Sequence, residues 1–443
     1  MEWITKIAIN ISLKCLLIFP VVLGFFLSVP HAEAQVNLFK IEAEREISSL
    51  HMNCNYENED LIAFSYNFEY PMIIMRNGNE PLVVFIDEQS NTLLFTNISD
   101  MLPHVVYSSH LIFGKANGER WPIVIAKKNK LYLNIYEGNN SSEMMRIKLF
   151  QIDEKRWEVN HRDKMVFSLD DGCGFWGVFP YAEEYMVIGQ CSSVCLKKLP
   201  GILLGGNPTV LRNAAFILDN KQKLIRQPIE EDCHNISKQE YEISDSNTMH
   251  AVWVQDKGGI KFEYVIRYSN NSNGREWAQP INLYSVSFKG MMDIDRPSIS
   301  MASSGDSAFV LWQDMKKGIF LAEIAHGNKV NTVTISEKKK GSLSQEPMVF
   351  ASTIKVASNK SGNVFVLWAQ NSGKEYKLYF KARIDEKWSS EIIINQGLGY
   401  LKLPDMKVDE KGKVHIVFIK STDLGEPNGR YGCFYMSLSK IVQ

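Results

Sequence analysis

The sequence predicts an all-β chain folded as a β-propeller, on three observations: an apolar phrase that recurs, the turn residues that introduce it, and the lack of any long run at helical spacing. AFVLWQD follows Gly305 and VFVLWAQ follows Gly362, near copies of one another. The same order of turn and apolar strand recurs at Gly412 (VHIVFIK) and Asn247 (MHAVWVQD), and more loosely at Gly78 (PLVVFIDE), Gly118 (WPIVIAKK) and Gly172 (FWGVFPY). A period of about 40 to 60 residues, filled with short runs of β-branched and aromatic residues, is what a ring of small antiparallel sheets produces. One such sheet cannot bury both of its faces, and a ring of them can.

In chain order the first element is a leader. Lys6 and Lys14 precede and enter an apolar run that extends from Cys15 to Val29, and His31-Ala32-Glu33-Ala34 has the small-residue form of a cleavage site. Residues 1–34 therefore read as a signal peptide, with Gln35 opening the mature chain and export, secreted or periplasmic, as the expected destination. The run is short for a spanning helix and Pro20 interrupts it, and no later stretch is apolar enough to cross a bilayer. A hydrophobic content of 45% supplies a large core, while a formal net charge of −1 gives no electrostatic case for nucleic acid or an anionic membrane.

The repeats follow. Pro71, Pro103, Pro297, Pro347 and Pro404 stand upstream of five of the turns, where a residue without an N–H suits the start of a strand. Trp157, Trp277 and Trp388, after the polar turns IDEKRW, NGREW and IDEKW, start a further strand. Each repeat thus reads as four antiparallel strands, and the turns predict seven four-stranded blades over 35–443. Six or eight remain open, because the widest gap, between Gly172 and Asn247, holds ILLGG and AAFILD. Stacked β-sandwich domains would need linkers, and no Pro, Gly or Ser-rich boundary is present. The last repeat, from Pro404, has three strands before the chain ends, so Val36 to Ile41 (VNLFKI) is expected to supply its fourth and protect the edge.

Cys15 falls in the leader, and Cys54, Cys173, Cys191, Cys195, Cys233 and Cys433 remain. Six cysteines in an exported chain predict disulfides, with fifteen possible pairings. Cys54 with Cys433 would tie the chain ends together. Cys191-Ser-Ser-Val-Cys195 lacks a second Cys or His pair at finger-like spacing, so zinc has little support.

In a propeller the residues ahead of each innermost strand gather at one mouth of the channel. The turn alignment puts Glu69 and Tyr70, Leu102, Asp293, Asp295 and Arg296, Gln345 and Glu346, and Tyr400 and Leu403 there. The expected ligand-binding set is Glu69, Tyr70, Asp293, Asp295, Arg296, Glu346 and Tyr400. Such a mixed-charge mouth suits a polar ligand, and two carboxylates in reach of one another suit hydrolysis of a glycosidic bond by acid and base catalysis. The plainer reading makes Asp295 and Arg296 a solvated turn pair. The scattered His residues lack metal-ligand spacing and no nucleophile elbow is present, so no metal, cofactor or catalytic residue is assigned.

SNNSNGREW, from Ser269 to Trp277, resembles the Asp-box turn of sialidase-like propellers, whose pattern is S-x-D-x-G-x-x-W. Gly274 and Trp277 match, while Asn270 stands at the Ser position and Ser272 at the Asp position. Ser168 to Phe175 also carries an Asp and a Gly of the pattern, but is read as a hairpin turn aligned with Gly305. The resemblance is at the level of the blade and covers 240–443 best. It implies the propeller fold and, in the family's enzymes, three arginines on a substrate carboxylate, a Tyr and Glu nucleophile pair, an Asp acid and a first-blade Arg-Ile-Pro. Here Glu69-Tyr70-Pro71 occupies that first-blade place and Arg296-Pro297 lacks the middle residue, so no catalytic residue carries over. Two functions follow: an exported propeller that binds a protein or glycan partner, or a glycan-active hydrolase or lyase using Asp293, Asp295, Glu346 and Glu69. A structural part of an envelope assembly is a third.

Overall fold

The run AFVLW is apolar at every position because both of its faces are covered. In the computed structural model, Ala308, Val310 and Trp312 pack with Val252, Ile266 and Tyr268 of the sheet before, while Phe309 and Leu311 pack with Ile354, Val356 and Val364 of the sheet after. A strand with one wet face would alternate; a strand walled on both sides reads as a continuous apolar run.

The structure describes thirty strands between Phe39 and Lys440 with most of their tight turns; residues 1–38, 53–71, 109–122, 195–208, 289–296, 338–353, 422–430, 441–443 and the shorter breaks between elements, Tyr400 among them, lie outside the described residues. Residues 41–440 form one compact unit; the two chain ends form another, of which Phe39 and Lys40 are described, in the short strand Phe39–Ile41.

Seven antiparallel sheets are present among the described residues. Numbered in chain order as sheets 1 to 7, they open with the inner strands Met72–Arg76, Ile123–Lys127, Cys173–Tyr181, Asn235–Ile243, Ser298–Ser304, Ile354–Ser358 and Leu401–Val408. Each inner strand neighbours the inner strand of the next sheet, and that of sheet 7 returns to that of sheet 1, so the series closes as a β-propeller. The core lies between sheets: Ile74, Leu82, Val84 and Phe95 of sheet 1 meet Val124, Leu131, Leu133 and Ile152 of sheet 2, and Ile73, Val83 and Leu94 meet Val417, Cys433 and Tyr435 of sheet 7.

Side chains on the inner strands also join the sheets. Met301 N donates to Glu240 Oε2 (2.6 Å), Val356 N to Ser300 Oγ (3.2 Å) and Ile73 N to Asp405 Oδ2 (2.7 Å). Each bond satisfies a backbone donor on the open edge of a sheet with a group from the sheet before it, which is how a ring blunts its edges.

The turn residues found in the sequence do the work assigned to them. Gly78, Gly305, Gly362, Gly412 and Asn247 all have positive φ, from 55° to 81°, at the first hairpin of sheets 1, 5, 6, 7 and 4. Two anchors are out of phase. IVIAK of the first phrase and FWGVFPY fall on the inner strands of sheets 2 and 3, not the second: Lys127 there pairs with Lys130 and Tyr181 with Glu184, and the sequence has no Gly between either pair. Pro103 opens the fourth strand of sheet 1, Pro103–Ser108, so Leu102 precedes an outer strand. With that phase corrected, AAFIL belongs to Thr209–Leu218, the third strand of sheet 3, and the wide gap holds no additional sheet among the described residues.

The last sheet takes its edge from the start of the chain, as expected: the strand that ends the expected segment at Ile41 stands next to Tyr431–Lys440 in that sheet, and a second segment joins it. Arg45–Met52 pairs with Tyr431–Lys440, and Ile47 is buried against Val417 and Tyr435; Val36 to Leu38 lie outside the described residues. The same region corrects one expected pairing, Cys54 with Cys433. Ser48 stands opposite Cys433, and Cys433 is a free thiol, 1% exposed, its pKa pushed up by burial. Cys54 lies outside the described residues.

Candidate functional site

The first hairpin turns lie side by side. Ser246 Oγ donates to Gly305 O (3.0 Å), Ser304 Oγ to Asn359 O (2.8 Å), Lys360 Nζ to Glu410 Oε1 (3.1 Å), and Glu410 N to Gly78 O (3.0 Å). The inner strands of sheets 4, 5, 6, 7 and 1 therefore all end at one rim, here the turn rim. Their first residues all begin at the opposite one, the entry rim.

None of the expected ligand-binding residues lies among the described residues: Glu69, Tyr70, Asp293, Asp295, Arg296, Glu346 and Tyr400 are all outside them. What is described is where the chain emerges from them. The inner strands that follow are those of sheets 1, 5, 6 and 7, four consecutive members of the ring, and each starts on the entry rim. Leu102 leaves this set, because it leads into an outer strand.

The entry rim carries described polar groups that the turn alignment did not single out. Second strands run from the turn rim back to the entry rim, and those of sheets 4 and 5 end in Asp256 and Asp314. The signal was in the sequence: the phrase ends in Gln-Asp in both MHAVWVQD and AFVLWQD.

Around Asp314 the geometry is specific. Tyr284, from the fourth strand of sheet 4, donates its hydroxyl proton to Asp314 Oδ2 (2.7 Å), Lys317 Nζ donates to the Tyr284 hydroxyl (3.0 Å), and Lys317 N bonds Asp314 Oδ1 (3.2 Å). Trp312 and Phe320 wall the Tyr284 ring, with centroids at 5.4 and 5.9 Å. Burial pushes the Tyr284 hydroxyl pKa up, and its bond from Lys317 only partly opposes that. Tyr284 is thus a neutral hydroxyl held in one orientation, able to donate and accept but unsuited to act as a base. The Lys317 ammonium, which also lies 5.3 Å from the ring centroid, is raised in pKa by the same hydrogen bond.

Two inner-strand carboxylates, Glu240 and Asp405, are already committed to backbone donors of the neighbouring sheet. Among the described residues no group of three or more His, Cys, Asp and Glu gathers as a metal site, and no helix is long and apolar enough to cross a membrane. The turn at Ser269 to Trp277 joins the third and fourth strands of sheet 4 and is held by Ser269 Oγ to Ala278 O (2.6 Å) and Ala278 N to Asn270 O (2.7 Å). Ser168 to Phe175 is instead the link from sheet 2 to sheet 3.

No protein-family model matches the chain, and no curated protein matches it. Solved structures similar to it include a puromycin hydrolase (TM-score 0.47, 10% identity, over 87% of this chain and 53% of that one). Others are an α-L-arabinanase of Penicillium chrysogenum complexed with arabinobiose (0.41, 8%, over 90% and 98%) and AofleA of Arthrobotrys oligospora (0.39, 9%, over 75% and 89%). The chain spans about half the length of the puromycin hydrolase it matches. These likenesses concern the fold alone and carry nothing about activity.

Proposed function

We propose that the protein is an exported β-propeller that binds a glycan at the entry rim, in the arc formed by sheets 5, 6, 7 and 1. One observation carries the reading: the four inner strands preceded by Glu69 and Tyr70, Asp293 to Arg296, Glu346, and Tyr400 are consecutive neighbours that begin on the same rim. Carboxylates, an arginine and two tyrosines that precede strands beginning on one rim are the kinds of group that grip sugar hydroxyls through hydrogen bonds and ring faces.

Glycoside hydrolysis is the second reading, and a specific observation favours it. Asp293 and Asp295 precede sheet 5, Glu346 precedes sheet 6 and Glu69 precedes sheet 1, so carboxylates come from three members of the same arc. Two carboxyl groups roughly 5 to 10 Å apart across a bound sugar would perform the reaction as acid and base or as acid and nucleophile.

The test is binding and product release measured together on residues 35–443. Retention of a glycan without new reducing ends supports the binding module; release of reducing ends that Glu346→Gln and Asp295→Asn abolish, with retention intact, supports the hydrolase. A chain that retains and cleaves no glycan ends the proposal.

A further inference from the structure

Sheet 3 places two cysteines opposite one another. Its inner strand, Cys173–Tyr181, and second strand, Glu184–Val194, pair antiparallel from Tyr181 with Glu184 at the hairpin end to Cys173 with Cys191 at the open end. The register shifts once on the way, between Phe175 and Gly177, and is regular from Phe175 back to Cys173. We propose that Cys173 and Cys191 form a cross-strand disulfide that closes the open end of this hairpin.

Directly opposed residues of an antiparallel pair occupy the same face of the sheet, with Cα atoms about 4.5 to 5.5 Å apart, and a disulfide spans Cα separations of about 4.4 to 6.8 Å. Of the fifteen pairings open to six cysteines, this is the one the register assigns. Cys433 stands opposite Ser48 and is buried as a free thiol, which removes it from the pool. Cys195 follows the second strand by one residue, so it is the nearest competitor for Cys173 in the sequence.

The bond forms by exchange with a small-molecule disulfide such as oxidised glutathione. The thiolate of one cysteine attacks a sulfur of the oxidant, expelling one equivalent of reduced thiol and leaving a mixed disulfide. The second cysteine, deprotonated, attacks the protein sulfur of that mixed disulfide and expels the second equivalent. Two protein thiols are oxidised, one external disulfide is reduced to two thiols, and the two thiol protons leave with them. The oxidising compartment that an exported chain would enter favours this direction.

The full chain, equilibrated with reduced and oxidised glutathione, alkylated in denaturant without reductant and mapped by mass spectrometry, tests the assignment. No Lys or Arg lies between Lys164 and Lys197, so trypsin alone leaves Cys173, Cys191 and Cys195 in one peptide; further cleavage after Glu183 or Glu184 separates the first from the other two. The expected result is a disulfide-linked pair of peptides that persists in Cys195→Ser and disappears in both Cys173→Ser and Cys191→Ser. Reductant should then lower the unfolding midpoint of the native chain and leave that of the doubly substituted chain unchanged. Alkylation of both cysteines without reductant overturns the proposal, as does linkage of Cys173 to Cys195, Cys54 or Cys233, or a link found only between two copies of the chain.

Discussion

Sheets 4 and 7 contain the same buried pair and support it differently. His250 and His415 each stand one residue into the second strand, and each bonds through Nδ1, at 2.6 Å, to a tyrosine hydroxyl on the third strand, Tyr268 or Tyr435. Sheet 6 fills the same diagonal with Phe365 and Phe380, ring centroids 6.4 Å apart. The two polar versions part at the other ring nitrogen. His415 Nε2 meets Asp409 Oδ2 at 3.4 Å, whereas His250 Nε2 has no hydrogen-bond partner among the described residues.

The difference follows from where the chain ends meet. Sheet 4 is continuous in sequence, and apolar packing against sheet 5 holds it. Sheet 7 borrows its outer strand from the start of the chain, and the polar bonds concentrate at that seam. Glu42 accepts from Lys413 Nζ (2.9 Å), Ser437 Oγ (2.6 Å) and Ser439 Oγ (3.3 Å), Glu44 accepts from Lys420 and Asn395, and Asp409 also takes Lys413 N (2.7 Å). A strand with no loop to fix its register is held by specific charged bonds, which pin register in a way that apolar burial alone does not.

Truncating the borrowed strand should give the largest effect. Ile47→Ala is expected to cost about 3 kcal/mol by the cavity it leaves against Val417 and Tyr435. Hydrogen exchange should rise first in Tyr431–Lys440 and leave Met249–Asp256 protected; equal loosening of sheet 4 would contradict the seam account.

Next are the double substitutions that convert each polar pair to the Phe pair of sheet 6. His415→Phe with Tyr435→Phe is expected to cost about 2 kcal/mol, since it leaves the buried Asp409 without its imidazole partner. His250→Phe with Tyr268→Phe should stay within about 1 kcal/mol of the native chain, because both partners are replaced together. Denaturant midpoints at constant slope decide the order.

Acid separates the two sheets again. Burial lowers the His250 pKa to about 4, with Asp306 opposing, so its folded value lies below its unfolded value near 6.5. Its contribution is complete above pH 6.5 and is lost as the pH falls through 6.5 towards 4, because the unfolded state takes up the proton first. His415 is lowered for the same reason, but Asp409 favours its cation, so His250→Phe should flatten this leg more than His415→Phe. Below about pH 4.5 the seam takes over. Glu42 is lowered to about 2 by its bonds to Ser437 and Lys413, and Glu42→Gln should flatten the fall between those values. The smallest change is expected at the turn rim, where removing the exposed pair of Lys360 and Glu410 should shift stability by less than about 1 kcal/mol.

The sheets were legible where glycine or asparagine marks the turn. A positive φ excludes most side chains, so Gly305, Gly362, Gly412, Gly78 and Asn247 record the fold directly. Sheets 2 and 3 turn without glycine, and Gly118 and Gly172 shifted the phase there by one strand. Asp314 was quoted within its phrase yet not recognised, because only the return of the second strand to the entry rim brings it beside Tyr284 and Lys317. Glu42 was invisible for a stronger reason: its partners Lys413, Ser437 and Ser439 lie across the ring closure, more than three hundred residues away, and no local pattern encodes that meeting.

Retention of a glycan panel by two variants tests the central claim most directly: Asp295→Ala/Arg296→Ala/Glu346→Ala at the entry rim, and Asp245→Ala/Lys360→Ala/Glu410→Ala at the turn rim. The account predicts that the first loses a glycan the native chain retains and that the second keeps it. Loss in the turn-rim variant with retention in the entry-rim variant would place the site at the wrong end of the channel and contradict the account.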